Sequence, residues 1–198
     1  MRVIRGFTLV ELLVVIAIVA VIFALAVSAL NNVGRSSALN GAKSTLSSYL
    51  EGARLKALTE SRTVELRFYK IPGQSTADSA YQAMQLWDPL QDQPLDAVKI
   101  LPTSVVMVED PKFSSLLSNE NPNGGKHTLA GVGQVDYKAF RIQSNGSTNL
   151  STTGTSSDDA WFFSAKLKNT PEFADRPADN FVTFTVDPVN SRVSIFQP

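Results

Sequence analysis

The sequence predicts an α+β fold in which one long N-terminal helix, its first half transmembrane, packs its second half on an antiparallel β-sheet domain. Three observations lead there. Residues 12–30 are apolar except for Ser28; an apolar stripe recurs at steps of three and four from Leu39 to Ala57; and beyond Arg62 the pattern changes to alternation broken by turn signals. The chain has 198 residues, and once the apolar stretch is set aside roughly 140 to 170 remain, enough for one domain with a real core.

The helix begins as a membrane segment. At about 1.5 Å per residue, 7–30 reaches about 36 Å, long enough to span a bilayer. Arg2 and Arg5 precede it without an acid, so the positive-inside rule leaves the N-terminus cytoplasmic and sends the chain beyond Leu30 outward. Glu11 is the single carboxylate between Arg5 and Val27. On insertion scales an acid at the bilayer centre costs about 2.5 to 3.5 kcal/mol. A cut between Gly6 and Phe7 creates an α-amino group one helical turn before Glu11, and a cation then exists to answer the anion. If that amine belongs to a neighbouring subunit, the charge favours assembly. Two alternatives stay open. One is a secretory signal ending near Val27-Ser28-Ala29, against which stand the length of the run and its acidic head; the other is a plain uncleaved anchor. Either makes the chain an exported or membrane-anchored extracytoplasmic binding protein.

Arg5-Gly6-Phe7-Thr8-Leu9-Val10-Glu11-Leu12-Leu13 resembles the processing site of type IV prepilins and type II secretion pseudopilins. The resemblance implies that a prepilin peptidase cuts after Gly6 and methylates the nitrogen of Phe7. It also implies that Glu11 pairs with the Phe7 N-terminus of an adjacent subunit in a filament. Ser28 stands where many pilins place a helix-distorting proline, so their locally melted segment is not carried over.

The second half of the helix carries Leu39, Ala42, Leu46, Tyr49, Leu50, Ala53 and Ala57 on one face and Lys43, Ser47, Glu51, Arg54 and Lys56 on the other. A bend or looser turn is expected at Asn31, Asn32 and Gly34, and the helix end near Ser61. Strands are expected at 63–69, 81–87, 97–101, 104–108, 139–143, 160–166, 181–186 and 192–196, the last two joined through Asp187-Pro188-Val189-Asn190-Ser191. A long helix feeding antiparallel strands is the pilin-like arrangement.

Leu50-Glu51-Gly52-Ala53-Arg54-Leu55-Lys56-Ala57 followed by Val64-Glu65-Leu66-Arg67-Phe68, with Asn190-Ser191-Arg192-Val193 near the end, is similar to the H-type (GspH/FimT-like) minor pseudopilins. That resemblance implies a minor subunit. Glu65-Leu66-Arg67-Phe68-Tyr69-Lys70, Tyr81-Gln82-Ala83-Met84-Gln85-Leu86, Leu101-Pro102 and Tyr137-Lys138-Ala139-Phe140-Arg141 with Asn145-Gly146-Ser147-Thr148 further resemble the Verru_Chthon cassette protein D family, itself prepilin-like.

Composition bears on other functions. Lys plus Arg and Asp plus Glu are both 18, which gives no basic surface for nucleic acid, and the tail Ser194-Ile195-Phe196-Gln197-Pro198 adds none. Cysteine is absent, which excludes disulfides and thiolate sites. The one histidine, His127, lies in a polar stretch with no nucleophile motif beside it and reads as a solvated loop residue. Asn123-Gly124-Gly125-Lys126-His127 and Gly131-Val132-Gly133-Gln134-Val135-Asp136 are incomplete phosphate-loop and dinucleotide motifs and read as flexible turns. Asp158 and Asp159, after the Ser/Thr-rich 151–157, have oxygen ligands for calcium nearby, but a solvated loop is the preferred reading. Trp87, Trp161, Phe162 and Phe163 read as core aromatics rather than an adhesive patch. No catalytic residue, cofactor site or metal ligand is expected.

The sequence therefore divides into a leader at 1–6, a transmembrane and assembly half-helix at 7–30, an amphipathic extracytoplasmic half at 31–61, and a β-rich domain at 62–198. Its expected partners are a prepilin peptidase, other pilin-like subunits and the inner membrane. No nucleic-acid partner is expected. The chain is expected as a single-pass inner-membrane protein that passes into a periplasmic or cell-surface filament.

Overall fold

The computed structural model describes residues 9–73, 79–152, 161–173 and 175–198, with backbone alone for 24–33 and 35. The chain divides into two compact units, Met1–Ser37 and Ala38–Pro198. Helix α1 (Leu9–Thr59) begins in the first and ends in the second.

In the first unit the described large apolar side chains of α1, Leu9 to Phe23, are exposed by 47 to 80 %. Glu11 lies in the first described turn of α1. Among the described residues no helix is long and apolar enough to cross a membrane. The span expected at 7–30 begins before the described residues, and its last seven positions are described by backbone alone. The looser turn expected at Asn31, Asn32 and Gly34 is absent, because all three lie inside α1. Single poor helix formers cost no more than about 1 kcal/mol each, too little to stop a helix that propagates from both sides.

In the second unit the stripe is buried as its spacing requires: Leu39, Ala42, Leu46, Leu50, Ala53 and Ala57 are all at most 2 % exposed. Tyr49, at the stripe's margin, donates its hydroxyl hydrogen to Asp96 and accepts the Leu86 N–H at 3.0 Å. The helix closes with Ser61 in the left-handed region (φ 49°), while the Arg62 N–H reaches the Ala57 carbonyl at 3.2 Å. That bond across five residues is the Schellman cap, made here without glycine.

Among the described residues ten strands come after the helix: β1 (Val64–Ile71), β2 (Ala80–Asp88), β3 (Gln93–Pro94), β4 (Lys99–Ile100), β5 (Val105–Met107), β6 (Gly124–Leu129), β7 (Gly133–Ile142), β8 (Trp161–Leu167), β9 (Phe181–Val186) and β10 (Val193–Phe196). They form one sheet in the order β10-β9-β8-β5-β2-β1-β7-β6, with β3 and β4 paired to β2. Every pairing is antiparallel. In β1, Leu66 stands opposite Leu86 of β2 and Phe140 of β7.

Alternation sends Val64, Leu66 and Phe68 into the core shared with the helix stripe. The Phe68 ring lies 5.2 Å from that of Phe163 and 6.4 Å from that of Phe140, and Phe163 stacks on Phe184 at 5.0 Å. The β9–β10 hairpin forms as expected and is tied to the helix. The Arg54 Nε donates to the Asn190 carbonyl at 3.1 Å, and the Lys43 Nζ to the Gln197 side chain at 2.8 Å.

Two expectations about the strands are corrected. The segment 97–101 yields only the two-residue β4, held to β2 at Ala83 and Met84 before Pro102 stops the ladder. The stretches read as flexible turns around Gly124 and Gly133 are strands: β6 pairs with β7 from Gly124↔Lys138 to Leu129↔Gly133, leaving only 130–132 as the turn. Gly124 is suited to this ladder, since a Cβ there would stand 2.5 Å from the Tyr137 carbonyl oxygen.

Candidate functional site

Two regions carry candidate function. The first is the N-terminal segment. Gly6 and Phe7 lie outside the described residues, so the geometry of the processing site and of a Glu11–Phe7 pair does too; Glu11 is placed in the first turn of α1.

The second lies on the face of the sheet away from the helix stripe and was not legible in the sequence. Glu65, Arg67 and Tyr69 alternate with the core residues of β1, yet they are 4 %, 7 % and 0 % exposed. The Arg67 guanidinium stands 3.9 Å from the centre of the Trp87 ring and 4.6 Å from that of Tyr137, a cation between two aromatic faces. The Arg67 Nε donates to the Glu65 carboxylate at 2.6 Å, and the Arg141 Nε to its other oxygen at 2.7 Å. Asp92, in the turn after β2, accepts the Trp87 indole N–H at 3.0 Å and lies 4.0 Å from Arg67. The Tyr69 hydroxyl donates to Gln85 at 3.0 Å, and burial pushes its ionisation up to about 12 against the pull of Arg67.

His127 joins this cluster from β6. It is half-buried, with its ring edge-on to Trp87 at 4.9 Å and 5.8 Å from Tyr69, which corrects the reading of a solvated loop histidine. Loss of solvent and then the Arg67 charge lower its pKa from the ordinary value, partly opposed by Asp92. Both faces of Arg67 are covered by rings and its charge is answered by Glu65, so the arrangement fixes four strands to one another.

The other sequence candidates scatter. Trp87 and Phe163 are buried and Trp161 and Phe162 half-buried. Asp158 and Asp159 lie outside the described residues. Among the described residues no three His, Cys, Asp or Glu side chains gather as a metal site. An open groove of about 370 Å³ includes Lys70, Tyr81, Glu109, Lys126, Asp136 and Lys138, with Lys70 and Glu109 paired at 2.6 Å.

The family model of the prokaryotic N-terminal methylation motif matches residues 1–27, the segment that holds Gly6, Phe7 and Glu11. No curated protein and no solved structure matches the chain. Residues 1–27 thus carry a type IV prepilin-like signal, which implies processing by a prepilin peptidase, an N-terminus anchored in the inner membrane and assembly with other pilin subunits.

Proposed function

We propose that the chain is a prepilin-like structural subunit, cut after Gly6, N-methylated at Phe7 and assembled through its N-terminal helix into a type IV pilus or type II secretion pseudopilus-like filament. The methylation motif at residues 1–27 carries this reading. In it, residues 1–6 are the leader, 7–30 the membrane and assembly half of the helix, 31–61 its extracytoplasmic half and 62–198 the exported domain. Glu11 pairs with the Phe7 amine of a neighbouring subunit, which offsets the cost of an acid in lipid when subunits dock. The H-type resemblance at 50–57, 64–68 and 190–193 favours a minor subunit over a repeating one, and the cassette-family resemblance narrows that group. The protein is the substrate of the peptidase and has a structural role.

Support also comes from the packing: the apolar side chains of α1 from Leu9 to Phe23 are exposed, as a helix that meets lipid or other helices requires. The test is intact mass and N-terminal sequencing of the protein from its native membrane. A start at N-methylated Phe7 is expected. A start near Leu30 means an exported soluble protein, and an intact Met1 a plain anchor; either result overturns the reading.

A further inference from the structure

Strand β6 is an edge strand, held by its six-pair ladder to β7 and by few side chains. Gly124 and Gly125 have no side chains to pack, Lys126 and Thr128 are exposed, and only His127 and Leu129 turn inward. Leu129 joins Tyr69, Ala83 and Val135 in a small apolar cluster, whereas His127 rests on Trp87 and Tyr69. One of the two side chains that dock this edge is therefore titratable near neutral pH.

The Trp87 ring that receives His127 already carries a cation, the Arg67 guanidinium at 3.9 Å. The charged and titratable groups that bear on His127 are Arg67 and Tyr69 from β1 and Asp92 from the turn after β2, with Glu65 of β1 paired to Arg67. Glu65 is engaged by both Arg67 and Arg141, and Asp92, 87 % exposed, offsets an added charge only in part. On the other face of the hairpin, Lys126 stands directly opposite Asp136. Glu65 answers Arg67 while His127 is neutral; a proton on His127 adds a second positive charge at the Trp87 ring in a half-buried site.

We propose that the β6–β7 hairpin is a proton-sensitive edge of the sheet, in which protonation of His127 beside Arg67 on the Trp87 ring releases strand β6 and opens the edge of β7. An uncovered edge is a template for pairing with another strand, so the device links ambient acidity to the pairing capacity of this side of the domain. Because the folded chain binds this proton more weakly than the unfolded one, the attachment of β6 is strongest above histidine's ordinary pKa of about 6.5 and weakens as pH falls below it.

The experiment is hydrogen exchange of the full chain in detergent micelles between about pH 7.5 and about pH 5, with rates corrected for the pH dependence of exchange in unstructured peptides. A loss of protection in β6 relative to β1 and β9 over that range is expected, and the step should vanish in His127→Gln even if that variant holds β6 less tightly throughout. Unchanged relative protection of β6, or the same step in His127→Gln, overturns the proposal. A direct NMR titration of the imidazole is the second measurement: a midpoint below about 6.5 supports the device, and one at or above it overturns it.

Discussion

Replacing Glu65 with leucine removes the one buried acid that holds Arg67 in place. The Arg67 side chain is 9 % exposed and that of Glu65 6 %, so their ion pair lies in a poorly solvated part of the sheet. With Glu65 gone, the acid left near the guanidinium is Asp92, 4.0 Å away and 87 % exposed. Breaking a buried pair from one side costs about 3 to 5 kcal/mol, because the remaining charge keeps its desolvation penalty and loses its partner. The two cation–π contacts are already present in the wild type, so they return none of this. Glu65→Leu should therefore lose about 3 to 5 kcal/mol. Arg141, whose side chain is 51 % exposed, makes the other bond to Glu65, and Arg141→Ala should cost under about 1 kcal/mol. The double variant Glu65→Leu/Arg67→Met should regain most of the loss, since apolar groups of similar volume replace a buried pair at little cost. Urea unfolding of the full chain in micelles, followed by tryptophan fluorescence, measures all four proteins. If Glu65→Leu stays within about 1 kcal/mol of wild type, or the double variant is no more stable than the single one, Glu65 is not the group that holds Arg67.

Leu46→Ala, in the middle of the buried stripe of α1, should cost about 2 to 5 kcal/mol in the same assay, while the exposed Leu55→Ala changes stability by less than about 0.5 kcal/mol. Gly124→Ala forces a Cβ against the Tyr137 carbonyl and should cost about 1 to 3 kcal/mol, with hydrogen exchange locating the loss in β6 and β7. Glu11→Ala should leave membrane insertion intact or improved and reduce recovery of the protein in sheared filaments; normal recovery defeats the assembly role of Glu11.

The helix stripe, the inward residues of β1 and the closing hairpin were legible because each rests on a local rule. Leu39 to Ala57 repeat at helical spacing, Val64, Leu66 and Phe68 alternate, and Asp187 to Ser191 are turn residues that then bond their own backbone, as Asp187 does with the Val189 N–H at 2.8 Å. The N-terminal motif was legible for a related reason: a peptidase reads contiguous residues, so its whole signal lies within 1–27. β6 was hidden because Gly124, Gly125, Gly131 and Gly133 carry the composition of a loop, and nothing within the segment announces the ladder that β7 supplies.

The cluster around Arg67 was hidden more deeply. Alternation in β1 assigns Glu65, Arg67 and Tyr69 to the side facing away from the core, and a polar face of that kind is ordinarily left to water. Here the partners that dry it come from far along the chain: Arg141 bonds Glu65 across 76 residues, and Trp87, Tyr137 and His127 arrive on three other strands. A period of two separates the two faces of a strand but not a solvated polar face from one whose charges are satisfied by distant partners. That distinction decides where proton sensitivity sits. In a solvated loop His127 would titrate with no effect on the sheet; packed against an indole that already bears a guanidinium, the same side chain couples its proton to the attachment of an edge strand.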